Sequence, residues 1–128
     1  MKRLVRNWPK KAVSEVATCK CVLKVLTSTI IDTMGHEQTG QRPALVLGVC
    51  PETSLAIVVP FTKNLDASRF PYSYEIKRTA SNGLSYDSVA LIYQTRSLTF
   101  TRFLRPLGNL EKVHCDRIKK LLKDYLQL

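Results

Sequence analysis

The residues best suited to chemistry lie in the polar segment 35–42, GHEQTGQR, which stands directly before an apolar run. Its two glycines allow unusual backbone angles and close approach of a ligand. Because Pro43 disfavours helical geometry at Arg42, we expect Arg42 to be extended at the entrance of a strand. A guanidinium there could bind phosphate oxygens through two parallel hydrogen bonds. Glu37 could pair with Arg42 across the loop, and an ordinary loop salt bridge is the simpler alternative.

Histidine and metal chemistry find less support in the sequence. His36 and His114 are the two histidines, so a two-histidine acid–base mechanism would require them to meet. His114 falls on a predicted helix, where a structural or solvated role is usual. The spacing of the four cysteines does not match a zinc site, and no glycine-rich phosphate loop is visible: the cysteines stand at positions 19, 21, 50 and 115. The sequence therefore predicts neither a metal nor a cofactor.

The charge of the chain favours an anionic partner. Twenty Lys and Arg residues against ten Asp and Glu give a formal net charge of +10 over 128 residues. Nucleic acid, an acidic protein segment and an anionic membrane surface would all suit it, and a merely basic surface is the alternative. No apolar run approaches the roughly 20 residues of a membrane span. No signal-peptide core follows the basic N-terminus, so we expect a cytoplasmic protein.

The elements that must position these residues are mostly strands. Runs of β-branched and apolar residues predict five of them, at 22–31, 44–49, 55–60, 72–77 and 88–94. The strand at 88–94 is expected to be buried and could continue through Arg96 to Leu98. The segment 50–54, CPETS, turns the chain, so the second and third strands should form a hairpin.

The C-terminal part predicts a connector and then a helix. Pro106 and Gly108 interrupt the segment 99–108, which reads as a connector. Asn109 can then cap a helix that runs through about residue 126. Its expected apolar face consists of residues at three- and four-residue spacing, namely Leu110, Val113, Ile118, Leu121, Leu122 and Tyr125.

Strands followed by one helix indicate an α+β, mainly β domain. Short strands within about 80 residues favour a small barrel or a strongly curved antiparallel sheet, with the C-terminal helix packed on it. We expect residues 23–128 to form this domain and residues 1–22 to be a basic arm or extension.

Four segments of the chain together resemble one known family: 35–46 GHEQTGQRPALV, 58–62 VVPFT, 87–97 DSVALIYQTRS and 107–110 LGNL. The first is similar to the family pattern Gly-Ser/His-Glu-Gln-x-Gly-x-Arg-Pro-Ala/Val-apolar-Val. The others are similar to Val-x-Pro/Ala-x-Thr, to Asp-Ser/Gly-Val-x-Leu with x-Gln-x-Arg/Lys-Ser/Thr, and to a Leu-Gly-x-Leu connector. The family is that of the MazF/PemK toxin endoribonucleases of toxin–antitoxin pairs, and the resemblance covers residues 33–128.

The resemblance implies a fold, an activity and partners. The fold would be the small SH3-like barrel shared with the gyrase poison CcdB. Two copies of the chain would assemble as a homodimer. The activity would be metal-independent cleavage of single-stranded RNA at a short sequence. The 2′-hydroxyl of the RNA would attack and leave a 2′,3′-cyclic phosphate and a 5′-hydroxyl. An antitoxin with an acidic, disordered segment would be the inhibitory partner.

Carried over by motif, the catalytic positions are Arg42 and Thr62, with Glu37 as an accessory. Arg42 would stabilise the charge on the phosphorus centre, and Thr62 would bind a phosphate oxygen or orient the 2′-hydroxyl. Glu37 would be a base or would position Arg42, and His36 could share the acid–base work. The expected RNA-binding residues are Gln41, Lys63, Arg69, Arg78, Gln94 and Arg96. Gln94 and Arg96 could instead lie in a dimer interface. The basic residues Arg69, Lys77, Arg78 and Arg102 could follow the RNA backbone or form a solvated face.

A second function stays open at this point. The stretch 21–35 lacks the Gly-Asp pair and the Asp-Pro step with which the family usually opens. A non-catalytic binding module on the same fold, such as a CcdB-like gyrase poison or a degenerate toxin, is therefore the alternative.

Overall fold

The computed structural model describes residues 21–26, as backbone, and residues 41–128. Seven strands and one α-helix make up the architecture of these residues. Their bounds are β1 Cys21–Leu26, β2 Gln41–Cys50, β3 Leu55–Thr62, β4 Ser73–Ile76, β5 Ser88–Leu91, β6 Arg96–Thr99, β7 Phe103–Asn109 and α1 Lys112–Leu126. The arm expected at 1–22 lies, apart from its last two residues, outside the described residues, as do the predicted strand positions 27–31.

All the strands pair antiparallel, in the order β4-β5-β3-β2-β1-β7, with β6 also paired to β3. Among the described residues, β4 and β7 at the two ends of this order do not pair with each other, so the sheet is open. A strongly curved sheet therefore describes it better than a closed barrel. The prediction of a mainly β, α+β fold with a C-terminal helix is confirmed.

The hairpin predicted over 44–60 is formed by β2 and β3. Its turn is closed by the N–H of Thr53, which donates to the carbonyl of Cys50 at 3.2 Å, and Ser54 adopts a positive φ of 62°. The register runs from Ala44 opposite Pro60 to Cys50 opposite Leu55. One extra residue, Leu47, interrupts it as a β-bulge, which increases the local twist of the strand.

The strand predicted at 88–94 ends earlier, and this prediction is wrong beyond Leu91. Residues Ile92–Gln94 form a 3-10 turn, after which β6 begins at Arg96. Both β5 and β6 pair with the same edge of β3, Ala90 opposite Phe61 and Arg96 opposite Val58. Three positions along β3 thus correspond to six positions along the segment from β5 to β6. Three residues between these two strands must therefore leave the ladder. Ile92 is nevertheless fully buried, which explains its strand-like sequence pattern.

Two apolar clusters lie on the two faces of the β2–β3 hairpin because successive side chains alternate. The first cluster lies beneath α1 and includes Leu45, Val59, Phe61, Ile76, Cys115 and Ile118. The second lies on the other face and includes Ala44, Val46, Ala56, Val58, Leu98, Phe100 and Phe103. A residue's position in β2 or β3 therefore tells which face it occupies.

The connector predicted at 99–108 is instead a 3-10 turn followed by strand β7. Pro106 and Gly108 are tolerated there because β7 is an edge strand whose pairing with β1 contains two register shifts. Asn109 ends this strand and does not cap the helix, which begins at Lys112 with Glu111 as its N-cap residue. The spacing predicts Val113 on the apolar face of the helix, but Val113 is 66% exposed. Cys115 is buried on that face instead.

A fully buried polar residue, Asn82, joins the turn before β5 to the start of α1. Its Oδ1 accepts the N–H groups of Thr79 and Leu84, each at 3.0 Å. Its Nδ2 donates to the carbonyl of Lys77 at 3.0 Å and to Glu111 at 3.3 Å. The single oxygen and both amide hydrogens of this side chain are thus used, as burial requires.

The Glu111 carboxylate also accepts the hydroxyl of Thr79 at 2.7 Å. This hydrogen bond is the main reason why the pKa of Glu111 is lowered from its ordinary value. Desolvation is the second-largest influence on this pKa and opposes the lowering, while lesser contributions from the backbone of Glu111, from Asn82 and from the charge of His114 act in the lowering direction. The ionised carboxylate therefore holds the turn to the helix.

Among the described residues, no helix is both long enough and apolar enough to span a bilayer.

Candidate functional site

Arg42 and Thr62 stand at the neighbouring ends of β2 and β3. The last pair between these strands at this end is Ala44 opposite Pro60. Arg42 lies two residues before Ala44, and Thr62 lies two residues after Pro60. Continued by two residues, the antiparallel register sets Arg42 across from Thr62, and opposite residues project from the same face. The register thus brings together the two residues that the motif singles out.

The face they share is the one opposite α1. Ala44 and Val58 belong to the second apolar cluster, and alternation puts Arg42 in line with Ala44 and Thr62 in line with Val58. Arg42 is exposed and Thr62 is half-buried, so both are accessible from solvent.

Two prolines stand where the paired register of β2 and β3 ends. Pro60 belongs to the last pair, Ala44–Pro60, and Pro43 precedes Ala44 on the other strand. Neither residue has a backbone N–H, so fewer main-chain hydrogen bonds can join the two strands at the end where Arg42 and Thr62 stand.

Hydrogen bonding orients the Thr62 hydroxyl. Its Oγ1 accepts the backbone N–H of Asn64 at 3.2 Å. A hydroxyl that already accepts one bond still has its own proton to donate. It can therefore offer that proton to an anionic oxygen placed on the Arg42 side.

The segment after Thr62 is a rigid loop. Asn64 caps a 3-10 helix at Leu65–Arg69 by accepting the N–H of Asp66 at 3.1 Å. Ser73 donates its hydroxyl to the carbonyl of Phe70 at 2.6 Å and so fastens the far end of the loop. The basic residues on this loop are consequently held in fixed positions.

Lys63 and Arg69, both expected to bind RNA, each lie over an aromatic ring. The Nζ of Lys63 is 4.8 Å from the ring centre of Tyr86, and the Cζ of Arg69 is 5.1 Å from that of Phe70. Phe70 also meets Tyr93 edge-on, with 6.4 Å between ring centres. Sequence reasoning does not single out these aromatic residues. Tyr93 stands in an apolar run, and the positions of the Phe70 and Tyr86 rings depend on long-range packing, so no local signal identifies them.

Arg96 shares the face of Arg42 and Thr62, because it lies directly opposite Val58. The guanidinium of Arg102 lies close enough to Arg96 for electrostatic repulsion between the two charges. Burial, and secondarily the positive charge of Arg96, lowers the pKa of Arg102. The neighbouring Gln94 is exposed on the 3-10 turn between β5 and β6. Basic and amide groups thus follow one edge of β3.

Arg78 and Lys77 are engaged within the protein. The Nη1 of Arg78 donates to the carbonyl of Ser85 at 3.1 Å, and its backbone N–H donates to Asp87 at 2.8 Å. Lys77 lies 3.6 Å from a carboxylate oxygen of Glu75 and 3.8 Å from one of Asp87. These contacts hold both residues beside β4 and the start of β5.

His114 belongs to the other layer of the fold. It lies on α1, and its Nδ1 is 2.7 Å from the Tyr74 hydroxyl, which fits a structural role. His36 and Glu37 lie outside the described residues, and Gln41 is described as the first residue of β2 without its side chain. Within residues 21–26 and 41–128, no three His, Cys, Asp or Glu side chains form a cluster that could hold a metal ion.

Comparison with known proteins agrees with the fold and the motifs. Residues 24–126 match the family of "PemK-like, MazF-like toxin of type II toxin-antitoxin system". The chain is 31% identical over 102 residues to a protein named endoribonuclease MazF9 from Mycobacterium tuberculosis, covering 73% of this chain and 85% of that protein.

Solved structures with the same fold include MazF from Deinococcus radiodurans, with a TM-score of 0.65 and 24% identity, covering 88% of this chain and 97% of that one. The Mycobacterium tuberculosis toxin MazF-mt6 has a TM-score of 0.61 and 17% identity, over 83% of this chain and 96% of that one. The family match spans well over half of the 128 residues, and the family expectation drawn from the sequence motifs is confirmed. The chain is a member of the PemK-like, MazF-like toxin family of type II toxin–antitoxin systems.

Proposed function

We propose that this chain is an endoribonuclease toxin that cleaves single-stranded RNA with Arg42 and Thr62 as catalytic residues. The observation that carries the proposal is the register of β2 and β3, which sets these two residues across from each other beyond the pair Ala44–Pro60. The name of the 31% identical relative, an endoribonuclease, supports the reaction type.

The reaction uses the 2′-hydroxyl of the RNA itself as nucleophile. Its oxygen bonds to the adjacent phosphorus, the bond from phosphorus to the 5′-oxygen breaks, and a 2′,3′-cyclic phosphate and a 5′-hydroxyl result. One proton leaves the 2′-hydroxyl, and one is delivered to the departing 5′-oxygen. The protein has to stabilise the extra charge on the phosphate oxygens between these events.

Arg42 supplies that stabilisation through two N–H groups of its guanidinium. Thr62 donates its hydroxyl proton to a second phosphate oxygen, since the acceptor side of this hydroxyl is engaged by Asn64. Glu37 and His36 are proposed as the acid–base pair or as groups that position Arg42, on the strength of their place in the motif.

The proposed partners are RNA, an antitoxin and a second copy of the chain. The net charge of +10 suits both the RNA and an acidic antitoxin segment. Related structures include a MazE–MazF complex and an endoribonuclease with its cognate antitoxin, each of which supports inhibition by a bound antitoxin. Because its substrate would be cellular RNA, we place the protein in the cytoplasm. The homodimer is proposed from the family resemblance.

The test is a digest of single-stranded RNA by the purified protein in the presence of EDTA, with the fragment ends mapped by sequencing. Fragments ending in 2′,3′-cyclic phosphate and beginning with 5′-hydroxyl are expected. Arg42→Ala should cut at least about a hundredfold more slowly, which is the usual effect of removing a main charge-stabilising donor.

Arg105→Ala is the matched control, because Arg105 is an exposed arginine on the edge strand β7. It should cut as the unaltered protein does. Equal cutting by Arg42→Ala and the unaltered protein would refute the proposed role, and RNA binding without any fragments would favour the non-catalytic module.

A further inference from the structure

The side chain of Tyr86 is exposed in a way that no packing requirement explains. Its exposed fraction, 58%, is the largest of the aromatic side chains in residues 42–128. An exposed aromatic ring offers a flat apolar surface to a ligand, and what it can bind depends on the groups beside it.

Tyr86 lies close to Lys63, the residue that follows Thr62. The Nζ of Lys63 is 4.8 Å from the ring centre. The start of β5 is consistent with this position, because Thr62 pairs with Val89, three residues after Tyr86. Ser88 donates its hydroxyl to the carbonyl of Tyr86 at 2.9 Å and holds the backbone there. The ring therefore lies just beyond the tip of the Lys63 side chain, on the side of the proposed cleavage site where β3 ends.

A flat ring beside a cation is suited to one kind of ligand. Unpaired bases stack on aromatic side chains regardless of their identity, while a neighbouring lysine binds the phosphate backbone. The ammonium of Lys63 lies over one face of the ring, which keeps both groups together before a ligand arrives, and a base would stack on the opposite face. Such pre-organisation reduces the cost of binding.

We infer that Tyr86 is a stacking platform for an unpaired base that flanks the cleaved phosphate, with Lys63 binding the phosphate of that nucleotide. The inference rests on the proposed function, and it adds a substrate-binding residue outside the four segments on which the family resemblance was based, one residue before the segment 87–97. It also states why the substrate must be single-stranded at this position, since a base inside a duplex has no free face.

The alternative occupant of an exposed tyrosine is a protein. A protein partner would bury the apolar area of residue 86 without needing a flat ring. Tyr86→Leu keeps apolar area but removes the ring, and Tyr86→Phe keeps the ring but removes the hydroxyl. These two variants therefore separate stacking from general apolar contact.

The experiment measures binding of a 2′-O-methyl oligonucleotide, which cannot be cleaved by 2′-hydroxyl attack, and of an abasic strand of equal length and charge. Fluorescence anisotropy with the full-length protein gives the dissociation constants at several salt concentrations. Tyr86→Leu should bind the base-containing strand about 5- to 100-fold more weakly, the range for loss of one stacked base, and the abasic strand unchanged. Tyr86→Phe should bind both strands as the unaltered protein does.

Two controls keep the result specific. Tyr125→Leu removes a tyrosine that is 44% exposed on α1, in the layer opposite Thr62. The dissociation constants of this variant for both strands should equal those of the unaltered protein. Lys63→Gln should reduce the slope of log affinity against log salt by about 0.7, the value for one phosphate contact on a single strand, whereas Tyr86→Leu should leave that slope unaltered.

The outcomes also distinguish this inference from the proposed function. If Tyr86→Leu binds the base-containing strand as tightly as the unaltered protein, the stacking role is wrong even where RNA is still cleaved in EDTA. If the unaltered protein never cleaves RNA but Tyr86→Leu loses base-dependent binding, the stacking role is upheld and the nuclease proposal fails.

Discussion

The Oγ1 of Thr62 accepts the backbone N–H of Asn64 at 3.2 Å, so the residue at the end of β3 is oriented by the loop that follows it. The loop and the proposed cleavage site are therefore one unit. A change in Thr62 alters the hydroxyl proton offered to the substrate and the anchor of the loop together.

Thr62→Ser should retain most of the RNA cleavage, whereas Thr62→Val should lower it by about a hundredfold. Serine keeps a hydroxyl that accepts from Asn64 and donates to a phosphate oxygen, and valine has the shape of threonine without the hydroxyl. Single-turnover cleavage rates measure the difference. Valine and serine variants that cut equally fast would remove Thr62 from the mechanism.

Asn82→Ala should lower the free energy of unfolding by more than about 2 kcal/mol. The substitution leaves the buried N–H of Leu84 and the part-buried N–H of Thr79 without the acceptor they have now, and an unsatisfied buried donor costs about 1–3 kcal/mol. Urea denaturation followed by circular dichroism measures the loss. Ser81→Ala is the comparison, because Ser81 is exposed and its side chain makes one 3.2 Å hydrogen bond to Asn109. A similar loss in both variants would contradict the assigned role.

Gly83→Ala should prevent stable folding or lower the free energy of unfolding by more than about 3 kcal/mol. Gly83 has a φ of +70°, and a Cβ there would lie 2.0 Å from the carbonyl oxygen of Leu107. Gly48→Ala is a matched control, because a Cβ at that position meets nothing within 4 Å. Its effect should stay within about 1 kcal/mol. Melting temperatures of the two variants would show the contrast.

Stability should fall on acidification partly through Glu111. The pKa of this carboxyl is lowered in the folded protein, chiefly by the hydrogen bond from Thr79. A group of this kind stabilises the fold above its unfolded pKa of about 4.3, and the contribution is lost as the pH falls through the folded value. Denaturant unfolding between neutral pH and about pH 3 should therefore show a smaller decrease for Glu111→Gln than for the unaltered protein.

Thr79→Val provides the second arm of that measurement. Without the hydroxyl, the pKa of Glu111 should move up toward its ordinary range, which NMR titration of the carboxyl would detect. An unchanged pKa in this variant would show that the Thr79 hydrogen bond is not its main cause.

The sequence predicts those parts of the fold that depend on local pattern. The β2–β3 hairpin follows from two apolar runs around a turn, and Arg42 and Thr62 follow from the motifs at its open end. The break at Ile92–Gln94 could not be predicted in this way. It results from the three-residue difference in register along β3, which depends on the partner strand and is invisible in an apolar run.

The same reasoning applies to β7 and to Tyr86. Pro106 and Gly108 suggest a connector, and it is the pairing with β1, with its register shifts, that makes this segment a strand. The exposure of Tyr86 depends on where neighbouring elements pack, so tyrosine in the sequence gives no sign of it. Long-range geometry decides both cases.

The prolines at positions 43 and 60 have a further consequence, for the kind of molecule that can bind at this end of the hairpin. An incoming extended peptide usually attaches to a sheet through main-chain hydrogen bonds, in the manner of an added strand. Proline has no main-chain N–H to offer, and beyond the prolines Arg42 is already paired with Val25 of β1 and Thr62 with Val89 of β5. Recognition here is therefore left to side chains, which favours a polyanion over an added β-strand.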